Sequence, residues 1–173
     1  MRPRALPTAP ELTVRPIRGA DADALLDLFA RLSPRSRLRR FLSPKPALSR
    51  RELAYLTDVD HRTHEALLAV DRAGVVVGVA RYACARGETA VADVAFAVAD
   101  TAQGRGIGTG LAQLLLDDAR ANGVVRLQAM TLPENRPARK LLARTGFELT
   151  GIEGGVLELG LDLAAPEAGR RAA

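Results

Sequence analysis

The chain is 173 residues long, enough to bury a core as one domain, and 47% of its residues are apolar. Aromatic residues make up 3% and tryptophan is absent, which argues against a surface that stacks nucleic-acid bases, so no nucleic-acid partner is expected. The net charge of +5, much of it arginine, is compatible with an acidic ligand or acidic protein partner, and equally with the arginine and alanine usage of a GC-rich genome.

Residues 1–10, with Pro3, Pro7 and Pro10, are expected to form a flexible lead. Leu12, Val14 and Pro16 then alternate with Thr13, Arg15 and Ile17, as in a first strand, and Gly19 ends it. Leu25, Leu28, Phe29 and Leu32 recur at helical spacing. Ser33-Pro34 is a second helix start, a capping hydroxyl before a proline, and it opens a short basic segment carrying Arg35, Arg37, Arg39 and Arg40. Ser43-Pro44-Lys45-Pro46 interrupts it; Ser49 and Glu52 are the capping pair of a helix reaching Thr57. Residues 63–70 and 75–85 form a hairpin pattern around Asp71-Arg72-Ala73-Gly74, and residues 90–99 add a third strand.

Cys84, the single cysteine, excludes an internal disulfide and fits a reducing cytoplasm; lying in a strand-like run, it reads as a buried structural thiol. No apolar run approaches the length of a membrane span and no signal-type segment opens the chain, so a soluble, cytoplasmic protein without a membrane partner is expected. Beyond residue 123 come a strand at 124–130, a helix at 135–145 stopped by Gly146, and strands at 147–150 and 155–163. Residues 164–173 are expected to be a flexible tail. The order predicts a mixed α/β (α+β) domain over 11–163, with a central sheet of about six to seven strands flanked by helices rather than a doubly wound repeat.

The stretch DTAQGRGIGTGLAQLLLDDARANG (100–123) organises the rest. Gly104, Gly106, Gly108 and Gly110 lead into a helical pattern with Ile107, Leu111, Leu114 and Leu115 on one face. Amides at a helix start have no partner inside the helix, and the macrodipole adds about half a positive charge there. Glycines let an anion approach those donors, and Arg105 adds a cation, so the place suits a phosphate. The G-x-G-x-x-G spacing fails because its third position falls on Thr109 or Leu111, and no Gly-Lys-Ser/Thr is present.

The hexapeptide Gln103-Gly104-Arg105-Gly106-Ile107-Gly108 resembles the Q/R-x-x-G-x-G/A signature of the GNAT superfamily of acyl-CoA-dependent N-acyltransferases. Glu134-Asn135-Arg136-Pro137-Ala138, followed by Gly146-Phe147, resembles that family's downstream E-N-x-x-A…G-F element. The resemblance spans nearly the whole chain, from Leu12 to Asp162. It implies the GNAT fold and acetyl-CoA as co-substrate, with its pyrophosphate held along Gln103 to Gly110, Thr109 included. Pantetheine would lie like a strand against the backbone of Phe96 and Val98, with the acetyl carbonyl near the Phe96 amide. Asn135 would contact the cofactor chain or serve as a helix N-cap.

Asp93 is the only acid in an otherwise apolar strand, three residues before Phe96, where many family members place a glutamate base. Partial burial would raise its pKa and improve it as a base; the bland alternative is a salt-bridged or solvent-facing edge residue. The family's tyrosine position, which often serves the leaving thiolate, is Leu142 here. The thiolate would then leave unprotonated or be served by another group such as Tyr82. His61 and His64 fall in a polar loop with no further ligand nearby, so no metal is expected.

Residues 32–44, LSPRSRLRRFLSP, resemble the L-S-P-x-S-x-x-x-R-F segment of bacterial Pat-type protein lysine acetyltransferases, which modify acyl-CoA synthetases. This implies a protein lysine as acceptor and places Arg35, Arg39 and Arg40 on the acceptor side. Two alternatives stand beside it: a small-molecule amine acetyltransferase and a non-catalytic CoA-binding sensor. A monomer and a homodimer are equally open.

Overall fold

The sheet of this computed structural model, which describes residues 3–163, begins earlier than the sequence pattern suggests. Strand β1 (Arg4–Leu6) pairs antiparallel with β2 (Ala9–Pro16). The residues expected to be a flexible lead are therefore a hairpin from residue 4 onward, and this correction supplies the eighth strand. Pro7 sits in the turn and Pro10 in the register break between Ala9 and Thr13, where a missing amide costs no ladder bond. Leu6 is fully buried, and Arg4 grips Asp118 through two bonds of 3.0 and 2.6 Å. The expected tail at 164–173 lies outside the described residues.

Helices α1 (Ala22–Ala30), α2 (Pro34–Phe41) and α3 (Arg50–Thr57) follow. Ser33 caps α2 by accepting from the Ser36 amide, and Ser49 with Glu52 forms the expected capping box of α3. Then come β3 (His64–Val70), β4 (Val76–Cys84), β5 (Val91–Val98), α4 (Ile107–Ala121), β6 (Arg126–Thr131), α5 (Arg136–Arg144), β7 (Glu148–Glu153) and β8 (Val156–Asp162). The strands form one eight-stranded sheet in the order β1-β2-β3-β4-β5-β6-β8-β7. Every neighbouring pair is antiparallel except β5 and β6.

Helix α4 buries its apolar face, Ile107, Leu111 and Leu115, against the middle of the sheet. A Cβ added to Gly78 on β4 would lie 3.2 Å from Leu111 and 3.3 Å from Ile107, so the glycine is what lets helix and strand approach. Arg81, an odd number of residues further along the same strand, points to the opposite face and bonds the Leu56 carbonyl of α3. The sheet is thus sandwiched, with α4 on one face and the α1–α3 layer on the other.

One irregularity in the sheet positions everything else. Strands β5 and β6 pair only at Val91–Arg126, Ala92–Leu127 and Asp93–Gln128, although β5 continues to Val98 and β6 to Thr131. Beyond that fork the two strands diverge, and their facing backbone edges are left without each other. Buried peptide groups require partners, so such a gap suits an extended chain with amides of its own.

Candidate active site

A cleft of about 620 Å³ opens at the fork, a volume typical of a small-molecule site. Its walls are the far ends of β5 and β6, the glycine turn with the first residues of α4, helix α5, and the C-terminal part of α2. At the turn, Gly104 and Gly106 both have φ of +79°, the left-handed region that side chains resist. Gly106 is the N-cap of α4, with no side chain satisfying the helix's first amides. The turn expected to hold an anion therefore presents backbone alone to the cleft. Behind it, the Thr8 hydroxyl from the N-terminal hairpin donates to the Gly106 carbonyl at 2.9 Å.

The cleft brings together most of the residues singled out for cofactor binding. Phe96, Val98, Gln103, Gly104, Gly106, Ile107, Gly108, Thr109 and Asn135 all line it. Arg105 does not; its side chain turns outward and bonds Glu11 at 2.7 Å. Gly110 is absent from the wall as well and has a packing role. A Cβ there would come within 2.5 Å of the Thr8 hydroxyl and 2.9 Å of Leu6, so this glycine seats the hairpin on α4. Gly108 allows α4 to meet α5, since its Cβ would lie 2.8 Å from Leu141. The Asn135 side chain caps α5, accepting from the Ala138 amide at 3.4 Å.

Asp93 lines the cleft at the last paired position of the fork, opposite Gln128. Both side chains are exposed, so the partial burial expected of Asp93 is not present. The reason is local: β5 and β6 turn this pair toward a face of the fork that the helices leave uncovered. No ion pair engages Asp93 among the described residues. Leu142 is buried on the cleft wall, where the family's tyrosine would stand. Tyr82, the suggested substitute, is elsewhere: fully buried, it donates to the Arg62 carbonyl at 2.8 Å and accepts from Asn122 at 2.7 Å. Burial pushes its hydroxyl up to about 12. Cys84 is half-buried on β4, and burial pushes its thiol up, away from the thiolate a nucleophile needs.

The wall expected to meet the acceptor is built by α2. Gln103 ties this helix to the glycine turn, its amide nitrogen donating to the Val98 carbonyl at 3.1 Å, Asp100 at 3.2 Å and the Ser36 hydroxyl at 3.4 Å. Arg39 and Arg40 line the cleft; Arg35 is exposed and stands off it. Arg40 lies over the Phe41 ring, 4.9 Å from its centre, and burial lowers its guanidinium to about 10.

Close by is a group that the sequence pattern did not single out. Arg81 is buried on β4, held by the Leu56 carbonyl at 2.8 Å and the His64 Nε2 at 3.1 Å. Burial, then the nearby Arg40 charge, lowers it to about 9. His64 is not in a loop; it begins β3, stacked 4.8 Å from the Tyr55 ring, and burial followed by the Arg81 charge lowers it to about 4. Neither arginine is ion-paired among the described residues. A lone arginine inside VVVGVARYAC is the same signal that drew attention to Asp93, and it could have been read in the same way.

The glycine turn before α4, the forked strands and the α5 cap match a known pattern. The description of the acetyltransferase (GNAT) domain matches residues 11–148. The chain belongs to the GNAT acetyltransferase family. GNAT acetyltransferases take acetyl-CoA as co-substrate, and the amide-lined gap of this member fits such a chain. Over 134 residues it is 34% identical to the acetyltransferase Pat of Mycolicibacterium smegmatis, covering 77% of this chain and 40% of that protein. The chain therefore spans well under half the length of that relative. Acetyltransferase PA5475 of Pseudomonas aeruginosa is also 34% identical, over 139 residues, covering 78% of this chain and 73% of that one. Among solved structures, the GNAT domain of S. lividans PAT superposes with a TM-score of 0.85 at 30% identity, covering 94% of this chain and 96% of that one.

Proposed function

We propose that this GNAT domain transfers the acetyl group of acetyl-CoA directly to a lysine side chain of a protein, such as an acyl-CoA synthetase, with Asp93 as general base. The observation that carries the reading is the fork itself. An uncommitted carboxylate stands where β5 and β6 part, at the mouth of a gap whose far end meets the glycine-opened helix. In this reading the pyrophosphate rests on the amides at Gly104, Gly106, Ile107, Gly108 and Thr109, and Phe96 and Val98 offer backbone bonds to pantetheine.

The chemical obstacle is the acceptor's proton. A lysine ammonium has a pKa of about 10.4, so on the order of one molecule in a thousand is nucleophilic at neutral pH. Asp93 takes that proton, directly or through one water, as the amine nitrogen approaches the carbonyl carbon. Because Asp93 is exposed in the free protein, a docked protein acceptor would supply the burial that the strand does not. Its place on the cleft wall favours catalysis over a sensor that only binds CoA.

The acceptor class is read from α2. The segment resembling that of Pat-type enzymes forms the cleft's outer wall, and Arg40 over the buried Arg81 leaves positive charge there without a carboxylate partner. An acidic protein surface beside the target lysine would answer that charge.

Thiol release from acetyl-CoA, measured with an acyl-CoA synthetase, with small amines and with no acceptor, tests the proposal. Release with the synthetase alone supports it, release only with small amines replaces the acceptor, and no release with any acceptor removes the activity. Asp93→Asn should lower turnover by about 100-fold or more while leaving acetyl-CoA affinity intact, and unchanged turnover would take Asp93 out of the mechanism.

A further inference from the structure

We propose that the Thr131 hydroxyl donates a hydrogen bond to the thioester sulfur and stabilises it as the thiolate leaves, an inference that rests on the acetyl-transfer reading above. Thr131 is 2% exposed, yet its Oγ1 has no hydrogen-bond partner in the protein. Buried hydroxyls find partners, and one without a protein partner on the wall of a ligand cleft is positioned to bond the ligand.

The strand register says which part of the ligand it meets. Counting on from the pairs Ala92–Leu127 and Asp93–Gln128, past the point where bonding stops, puts Thr131 level with Phe96. Sides of the sheet agree as well. Val98 lies opposite Gly78, which faces α4, so Phe96, two residues earlier, shares that face. Leu127 pairs with Ala92, which is four residues before Phe96 and shares its face, and Thr131, two and four residues beyond the buried Ala129 and Leu127, is on the same side. The hydroxyl therefore stands across the gap from the Phe96 backbone, where the reading above places the acetyl carbonyl. Leu142, which holds the tyrosine position on α5, lines the same cleft and offers no donor. The strand thus supplies the hydroxyl that the helix lacks.

The step balances without proton transfer from threonine. The proton that Asp93 has taken from the ammonium passes on to water; the freed amine nitrogen then adds to the carbonyl carbon, its second proton passes to Asp93, and the C–S bond breaks with its electron pair going to sulfur. Thr131 keeps its proton and shares it with the thiolate, which takes its own proton from water after release.

Thr131→Val removes the hydroxyl with little change of shape, and Thr131→Ser retains it. With acetyl-CoA, the valine variant should show kcat lowered about 10- to 100-fold at a nearly unchanged KM, and serine should restore most of it. A second measurement needs neither turnover nor a folded variant. At pH 9, where the thiol with its pKa of about 8.5 is largely ionised, the wild-type protein should bind CoA several-fold more tightly than desulfo-CoA. Equal affinities, or an unchanged kcat in the valine variant, would overturn the role of Thr131 while leaving acetyl transfer standing. Failure of the wild-type protein to bind either CoA or desulfo-CoA would instead overturn the acyl-CoA reading.

Discussion

Replacing Gly106 by alanine tests the claim that the cleft's anion site is made of backbone. The residue has φ of +79°, and a Cβ added there would lie 3.1 Å from the Thr8 Cβ. Holding an ordinary residue in the left-handed region costs roughly 1–2 kcal/mol. The free variant can relieve that cost by shifting the turn, but acetyl-CoA binding needs the original aim of the α4 amides and must restore it. Since about 1.4 kcal/mol is tenfold, affinity for acetyl-CoA should fall about 5- to 30-fold. Gly74→Ala is the matched control: its φ is +82°, nothing lies within 4 Å of the added Cβ, and it sits in the β3–β4 hairpin away from the cleft. Gly74→Ala should lose stability in urea and keep its affinity, whereas Gly106→Ala, whose turn can relax in the free protein, should show its loss as weaker acetyl-CoA binding by calorimetry. Unchanged binding by Gly106→Ala, or equal losses in both, would refute the reasoning.

Two further outcomes follow from features outside the cleft. Leu6→Ala should destabilise the fold by about 2–5 kcal/mol in a denaturant titration, because Leu6 is fully buried beside Gly110; a dispensable lead would give no change. His64, held near 4 by burial and Arg81, stays neutral in the native state while an unfolded histidine takes up a proton near 6.5. The unfolded chain therefore binds more protons between about pH 4 and 6.5, so stability is full above that window and falls as pH drops through it. His64→Gln should flatten that slope in urea titrations at pH 7 and pH 5, and an identical slope would show that His64 is not its source.

The reach of the sequence differs from residue to residue. Gly104 and Gly106 announce the turn because its left-handed backbone favours glycine, and together with Gln103 and Gly108 they line the cleft. The order of helices and strands was legible through periodicity, since burial on one face imposes a repeat of two or of about three and a half residues. Arg105 and Gly110 show where that logic stops. Within a glycine-rich run every residue shares the motif, but Glu11 and Leu6, about a hundred residues away in sequence, decide which of them face the cleft.

Local pattern determined that a glycine turn opens an amphipathic helix after an apolar strand bearing one carboxylate, because those properties depend on neighbours along the chain. Only the tertiary structure decided that the N-terminal residues complete the sheet, that β5 and β6 part just beyond Asp93, and that Thr131 and Phe96 line one cleft. The N-terminal hairpin is local, but it is seated by Leu6 and Arg4 meeting α4 about a hundred residues on, and the other two are matters of long-range register. Pairing between distant strands is set by the packing of the whole core, and no window of sequence contains both partners.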